Sequence, residues 1–386
     1  MTVKPVRIGV EVGFIGDARA GVARYTWNLL REMLQLTSGV EFRFYSPRPV
    51  EIPLSPGGWQ QCTEPELARL PLGLWTQWAL PRVLFRDRVD VFWGQGYTMP
   101  GRFCWPRRRV LTVHDLTAAV CPETMETRTR LTYSLLLSRA VRNADVVVAV
   151  SHATARLLHL VLGVPEDKLR VVYEGVDPAL LVSSSQEPVV VAKTRFGLSP
   201  GFILSVGTIE PRKDYVTLLR AHDRLPRNCL LVIAGAEGWN CQHIMREIRM
   251  RESTGRVRFL GRVEDEELRA LYGAARVMVY PSRYEGFGLP VVEAMACGCP
   301  VVCSWTSSLP EVAGSAAEYF EPGNVEELAD KLARLLVDDK RLSVMATMGR
   351  ERAGGFSFRR AAREMLEIFG IDSVAEARVQ SKDLAI

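Results

Sequence analysis

The sequence predicts an α/β protein of two doubly wound parallel-sheet domains, and three observations carry that expectation. Short β-branched runs alternate with segments of helical period. The alternation breaks once, in a stretch rich in serine, glutamine and proline, and then begins again. At 386 residues the chain exceeds one ordinary core, so the break reads as a domain boundary.

"VRIGVEV" opens the first domain as a strand, and "GVARYTWNLLREML" follows with helical spacing. "VLTVHD" and "ADVVVAV" are further strands, the second leading into the helix "SHATARLLHLVLG". "PALLVSSSQEP" then divides the chain into a first domain of residues 1–182 and a second of residues 183–357. In the second, the strands "GFILSVG", "NCLLVIAG", "VRFLGRV" and "RVMVYPS" alternate with the helices "TLLRAHDRL", "EDEELRALYGAA" and "LPVVEAMACG". Residues 358–386 hold a late amphipathic helix, expected to pack back toward the first domain, and a polar tail after Ile371 with little to bury. Two such domains create a cleft, and open parallel sheets bind ligands beyond the carboxyl ends of their strands.

A chain that is 47% hydrophobic and 24% charged is a soluble globular protein. Its net charge of +5 includes the cluster Arg107, Arg108 and Arg109, which suits anionic ligands or surfaces. A nucleic-acid partner is excluded, because no basic stripe with interleaved aromatics runs along the chain. Eight cysteines without a Cys-x-x-Cys pair, among them Cys297 and Cys299 in a small-residue helix, read as small hydrophobes. No secretory leader precedes "VRIGVEV" and no apolar run approaches the ~20 residues of a spanning helix, so a reducing cytoplasm is expected.

The stretch "RYEGFGLPVVEAMACGCPVV" places Glu285 and Glu293 eight positions apart around a glycine-rich bend that joins a strand to a helix. Backbone amides at that helix start favour an anion such as phosphate, and Gly286 and Gly288 let it approach. Glu293, expected in the first helical turn, either holds two neighbouring hydroxyls such as a ribose diol or only complements the helix dipole. Glu285, at the strand end, lies where a sugar would sit. In "VGTIEPRKDYVTLL", Arg212 and Lys213 follow a strand and precede a helix capped by Asp214; they offer either charge for a diphosphate or a solvated loop. "VLTVHDL" puts His114 and Asp115 at a strand end, as packed residues or as site residues. Gly13, Gly16 and Gly21 lie between a strand and a helix, but without the G-x-G-x-x-G spacing of a dinucleotide site. No metal site is evident.

Together these segments resemble the family-four retaining glycosyltransferases of GT-B fold, also called group 1 glycosyltransferases, whose E-G-F-G-L-P-x-x-E hallmark is matched by Glu285 through Glu293. "AGVARYTWNLL", "TVHDLT", "VVYEGVDP", "GTIEPRKD", "SSLPEVAG" and "FSFRRAA" follow in family order, so the likeness covers nearly the whole chain. It implies that Glu293 holds the ribose, that Glu285 lies by the donor sugar, and that amides near Phe287, Gly288 and Leu289 meet diphosphate or sugar. It further implies that Arg212 and Lys213 neutralise the leaving group, that Gly21 belongs to a closing glycine loop, that Val263 meets the base, and that His114 flanks the reacting sugar. Thr208 stands where many relatives have arginine, Ala20-Gly21 where they have a glycine pair, and Glu174 where they often have asparagine.

The resemblance implies transfer of a sugar from a nucleotide-diphosphate sugar, GDP-mannose or a UDP-sugar, to a saccharide or lipid-linked hydroxyl with retained configuration. The mannosyltransferase-like "GTIEPRKD" suggests cell-surface polysaccharide or lipopolysaccharide assembly, without metal or other cofactor. Front-face attack is favoured over a covalent glycosyl-enzyme, and a sugar-nucleotide epimerase or a non-catalytic nucleotide-sugar binder is the alternative. Trp75, Trp78, Leu80, Leu84 and Phe85 beside Arg82, Arg86 and Arg88 read either as a packed helix, interrupted at Pro81, or as a peripheral contact with the inner face of the membrane.

Overall fold

The structure, a computed structural model, describes residues 5–13, 15, 21–64, 74–101, 106–177, 180–181 and 187–372. Gly16, Ala20, the expected boundary at 182–183 and the polar tail beyond residue 372 lie outside the described residues. The chain divides into two compact units. One holds the residues up to Leu116, Leu131 to Gly175 and those from Phe358; the other holds Thr117 to Arg130 and Val176 to Ser357. The segment Thr117–Arg130 is tied into the second unit through Trp239, whose indole Nε1 donates to the Thr124 carbonyl at 2.9 Å.

Among the described residues, seven strands form the first unit's sheet: β1 (Val6–Glu11), β2 (Val40–Ser46), β3 (Trp59–Thr63), β4 (Val91–Gln95), β5 (Arg108–Val113), β6 (Val146–Ala149) and β7 (Leu169–Val171). Their order is β3-β2-β1-β4-β5-β6-β7, and every neighbouring pair is parallel. The chain therefore winds outward from β1 in one direction and from β4 in the other. Helix α1 (Gly21–Leu36) buries Ala23, Thr26, Trp27, Leu30 and Met33, a spacing of three and four that gives it one apolar face. A π-helical turn, Trp75–Ala79, leads directly into α2 (Leu80–Arg86). Pro81 does not interrupt this helix. The wider turn places the Leu80 N–H on the Trp75 carbonyl, and Pro81 falls in the first turn of α2, where a missing donor costs little. Helix α3 (Thr127–Asn143) packs its Leu137, Ala140 and Val141 into the same core as Trp75, Leu80 and Leu84.

The second unit's sheet has six described strands: β8 (Ile203–Val206), β9 (Leu231–Ala234), β10 (Val257–Phe259), β11 (Val277–Tyr280), β12 (Val301–Ser304) and β13 (Ala317–Phe320). The order β10-β9-β8-β11-β12-β13, again all parallel, puts the reversal of winding between β8 and β11. The four central strands, β9, β8, β11 and β12, are buried on both faces, which is why they read as apolar runs. Helices α4 (Tyr215–Asp223), α5 (Asp265–Ala274) and α6 (Leu289–Ala296) flank them. Glu264 and Glu267 make a reciprocal capping box at the start of α5.

The last helix, α7 (Phe358–Phe369), buries Phe358, Ala361, Ala362, Met365, Leu366 and Phe369 and packs on α1 in the first unit. The rings of Trp93 and Phe369 lie 5.8 Å apart, and Arg359 reaches Glu32 at 3.6 Å. Where α7 begins, Gly175 passes so close that a β-carbon there would lie 2.1 Å from the Phe358 nitrogen. Backbone cannot yield as a flexible side chain does. Gly175→Ala is therefore expected to lower stability by about 2–4 kcal/mol, read as a lower urea midpoint, whereas Gly21→Ala, with open space around it, should leave the midpoint within about 1 kcal/mol of the parent.

Candidate functional site

The loops that leave β8 and β11 meet at the point where the second sheet reverses its winding. Gly207 leads from β8 to a single 3-10 turn, Pro211–Lys213, and residues 281–288 lead from β11 to α6. The Arg283 N–H donates to the Arg212 carbonyl at 2.9 Å, so the two loops share backbone before their side chains meet.

Glu285 is the centre of the arrangement. One carboxylate oxygen, Oε1, accepts from Lys213 Nζ at 2.6 Å, and the other, Oε2, faces Arg212 Nη1 at 3.0 Å. Lys213 Nζ also donates to Tyr280 Oη at 2.6 Å and lies 4.9 Å from the centre of that ring. Arg212 Nη2 donates to Glu210 Oε1 at 2.6 Å, and Nη1 to the Tyr284 carbonyl at 2.7 Å. Glu285 is 7% and Lys213 9% exposed, so neither is part of a solvated loop. Burial alone would raise the Glu285 carboxyl; the charges of Arg212 and Lys213 outweigh it and hold the group at about 2. Burial draws the Lys213 ammonium below its usual range, with the Glu285 carboxylate opposing. Burial likewise raises Glu210, against the same two cations.

Two serines on the far side of the bend hold its backbone. Ser307 Oγ accepts the Glu285 N–H at 2.9 Å, and Ser308 Oγ lies 3.0 and 2.8 Å from the carbonyls of Glu285 and Phe287. The sequence shows these serines only as a motif, without a role. Gly288 takes φ +106°, which few other residues adopt, and a β-carbon there would press on Leu309 at 2.8 Å. Phe287 is buried edge-on against Phe356, ring centres 5.6 Å apart. Leu289 and Pro290 open α6; the proline has no N–H to offer, and the Val291 N–H donates to the Gly288 carbonyl at 2.9 Å.

Glu293 is not in that first turn. It is the fifth residue of α6, buried, and its Oε2 accepts from Tyr272 Oη of α5 at 3.2 Å. Simple complementing of the dipole does not account for a buried carboxylate one turn inside a helix. Val263 is half-buried between β10 and α5. Asp214 precedes α4, as expected of a cap, but in the left-handed region at φ 48°. Its carboxylate accepts from the Thr217 hydroxyl at 2.9 Å and makes no capping bond to the helix backbone.

In the first unit, His114 follows β5. Its Nδ1 lies 3.4 Å from Glu174 Oε1, its Nε2 3.3 Å from Gln95 Oε1, and its ring meets the edge of Tyr25 at 4.8 Å. Glu174 and Gln95 are buried, as is Glu11, whose Oε1 accepts the Gly13 N–H at 2.7 Å. Gly21 begins α1 and is exposed. Apart from Glu293, one turn inside α6, the residues expected at the site therefore lie at carboxyl ends of strands or at the loops and helix starts beyond them. In the second unit the structure brings Arg212, Lys213 and Glu285 into direct contact.

Residues 189–352 match the family described as Glycosyl transferases group 1, and residues 19–180 the Glycosyltransferase Family 4. The chain is 32% identical over 298 residues to the O-antigen chain mannosyltransferase B of Escherichia coli, covering 76% of each protein. It belongs to this glycosyltransferase family. Among solved structures, a sucrose-phosphate synthase from Thermosynechococcus elongatus shares the fold at 21% identity, with a TM-score of 0.79 over 95% of this chain and 98% of the other. Anabaena HepE, solved in complex with UDP-glucose, shares it at 19% identity, with a TM-score of 0.75 over 94% and 99%. The GT-B architecture, two parallel-sheet Rossmann-like units, is that of these glycosyltransferase structures.

In this glycosyltransferase, Glu174 is more than a departure from the usual asparagine. Its Oε1 lies 3.4 Å from Nδ1 of His114, so the two side chains face each other directly. The Glu285 cluster has a consequence for stability that depends on pH. Its carboxyl titrates near 2 in the folded chain against an ordinary 4.5, so the stabilisation is present above about pH 4.5 and is lost as pH falls toward about 2. Glu285→Gln should be less stable than the parent at pH 7, and its stability should fall less steeply between pH 5 and about 3, as read by urea unfolding across that range. Parallel slopes would remove the assignment.

Proposed function

We propose that this glycosyltransferase moves a sugar from a nucleoside-diphosphate sugar, GDP-mannose or a UDP-sugar, to a hydroxyl of a saccharide or lipid-linked acceptor with retained anomeric configuration. Its place would be cell-surface polysaccharide or lipopolysaccharide assembly in the cytoplasm. The observation that carries the reading is the pair of cations, buried Lys213 and half-buried Arg212, set on Glu285 beside the start of α6. The names of the mannosyltransferase relative and of the UDP-glucose complex support donor class and pathway.

In this reading Glu293 takes the ribose diol, Val263 borders the base, and the amides at Phe287, Gly288 and Leu289 meet diphosphate and sugar. Gly21 belongs to the loop that closes on the phosphates. The bond from the anomeric carbon to the diphosphate oxygen breaks, the acceptor oxygen bonds to that carbon from the same face, and the acceptor proton passes to the leaving phosphate. His114 flanks the reacting sugar. Arg212, Lys213 and the helix amides meet the charge that grows on the diphosphate, with no metal or other cofactor called on.

Glu285 suits a positioning role better than a nucleophilic one. A carboxylate held at about 2 by two ion pairs is weakly basic and has both oxygens engaged. This favours front-face attack over a covalent glycosyl-enzyme.

The test is product analysis with nucleotide sugars and a panel of glycan acceptors. Nucleoside diphosphate should be released only when an acceptor is present, and Lys213→Ala should lower kcat/KM by about 100-fold or more, on the scale of a lost oxyanion contact. Epimerised donor without release, or a Lys213→Ala rate near that of the parent, would overturn the proposal.

A further inference from the structure

In the first unit, α2 and the part of α3 from Leu131 onward carry outer faces that water does not explain. From Leu74 through the π-helical turn into α2, the inner side buries Trp75, Ala79, Leu80, Val83 and Leu84. The outer side leaves Leu74 49%, Trp78 63% and Phe85 68% exposed, with Arg82 on the same stripe and Arg86 beside it. On α3, Leu137, Ala140 and Val141 face inward to the same core, while Leu131 is 55% and Leu135 72% exposed. Arg139 and Arg142 continue that second stripe at helical spacing, and both are exposed.

Charge decides what such a face fits. The sequence of α3, "TRTRLTYSLLLSRAVRN", has four arginines and no acid, and "WTQWALPRVLFR" has two arginines and no acid. Surface helices facing water ordinarily mix both signs and leave few large aromatics outward. Arg86 is shared with Glu64 and Asp87, at 2.8 and 3.0 Å. Arg82 and Arg142 instead reach carbonyls of their own helices, Trp78 and Ser138, which leaves their charge uncompensated by these contacts.

We propose that this two-helix face is a docking surface for an anionic lipid bilayer. Trp78, Phe85, Leu131 and Leu135 enter the head-group boundary, and Arg82, Arg139 and Arg142 meet lipid phosphates. A second copy of the chain fits less well, because the face would meet its own positive charge. The proposal deepens the transferase reading by placing the enzyme where a lipid-linked acceptor would be held, and it rests on that reading only for its purpose.

The full chain is sedimented with vesicles of phosphatidylcholine containing about 30% phosphatidylglycerol, with phosphatidylcholine alone as control, at low salt and at about 0.5 M NaCl. The parent should bind the anionic vesicles at low salt and lose about tenfold in affinity at high salt. Trp78→Ser/Phe85→Ser and Arg139→Gln/Arg142→Gln should each lose about tenfold, with unchanged melting temperature and unchanged turnover of a soluble acceptor. No binding by the parent, parent-like binding by both variants, or a concentration-dependent dimer that these substitutions disperse would overturn it. Lost vesicle binding with turnover retained leaves the transferase reading standing; lost turnover with binding retained defeats that reading alone.

Discussion

Burying three charges at one point is the constraint around which the second unit is arranged. A carboxylate or an ammonium taken out of water alone costs several kcal/mol, and Glu285, Arg212 and Lys213 are buried or nearly so. They tolerate burial because each has its partners at hydrogen-bond distance, with Tyr280 and Tyr284 completing the set. Two cations face two carboxylates there, Glu285 and Glu210, the second raised by burial against the pull of the same cations. A site built this way holds its charged groups in fixed geometry before any ligand arrives, which is the form of electrostatic assistance that costs least reorganisation during reaction.

The fold makes that cluster possible. In a parallel sheet that winds outward from its middle, the loops leaving the two central strands diverge and leave a crevice at their carboxyl ends. β8 and β11 are those strands in the second unit, and Lys213 and Glu285 lie on their loops. The first unit repeats the geometry with β1 and β4. There the polar residues at the strand ends, Glu11, Gln95 and His114, are joined by Glu174, which follows β7. Apolar packing covers the sheet of the first unit, with α7 set on α1 and α2 and α3 sharing one core.

Much of this was legible in the sequence because it depends on local pattern. Alternating β-branched runs and helical periods specify parallel strands and their covering helices, and the Glu285–Glu293 hallmark with its ordered companions specifies the family. What was not legible depends on partners distant in the chain. Nothing between Lys213 and Glu285, 72 residues apart, signals that they touch, so the two cations read as a solvated loop or as unengaged charge. Ser307 and Ser308 hold the bend from another strand end, beyond the reach of any local signal. Glu293 was set one turn too early because a helix boundary read from a proline and a glycine is accurate only to a few residues. Pro81 was read as an interruption because a π-helical turn ahead of a proline leaves no mark in residue periodicity. The pairing of Glu174 with His114 was likewise invisible, since the departure from asparagine carries meaning only once the histidine is seen beside it.

The most direct measure of the central claim is a double-mutant cycle between Glu285→Gln and Lys213→Met, read as unfolding free energy in urea at pH 7. If the buried pair organises the site, Glu285→Gln strands Lys213 and Lys213→Met leaves Glu285 with Arg212 alone, and the double variant should be more stable than the sum of the two losses by about 2 kcal/mol or more. Additive losses would show that the two side chains do not depend on each other, and would contradict the account.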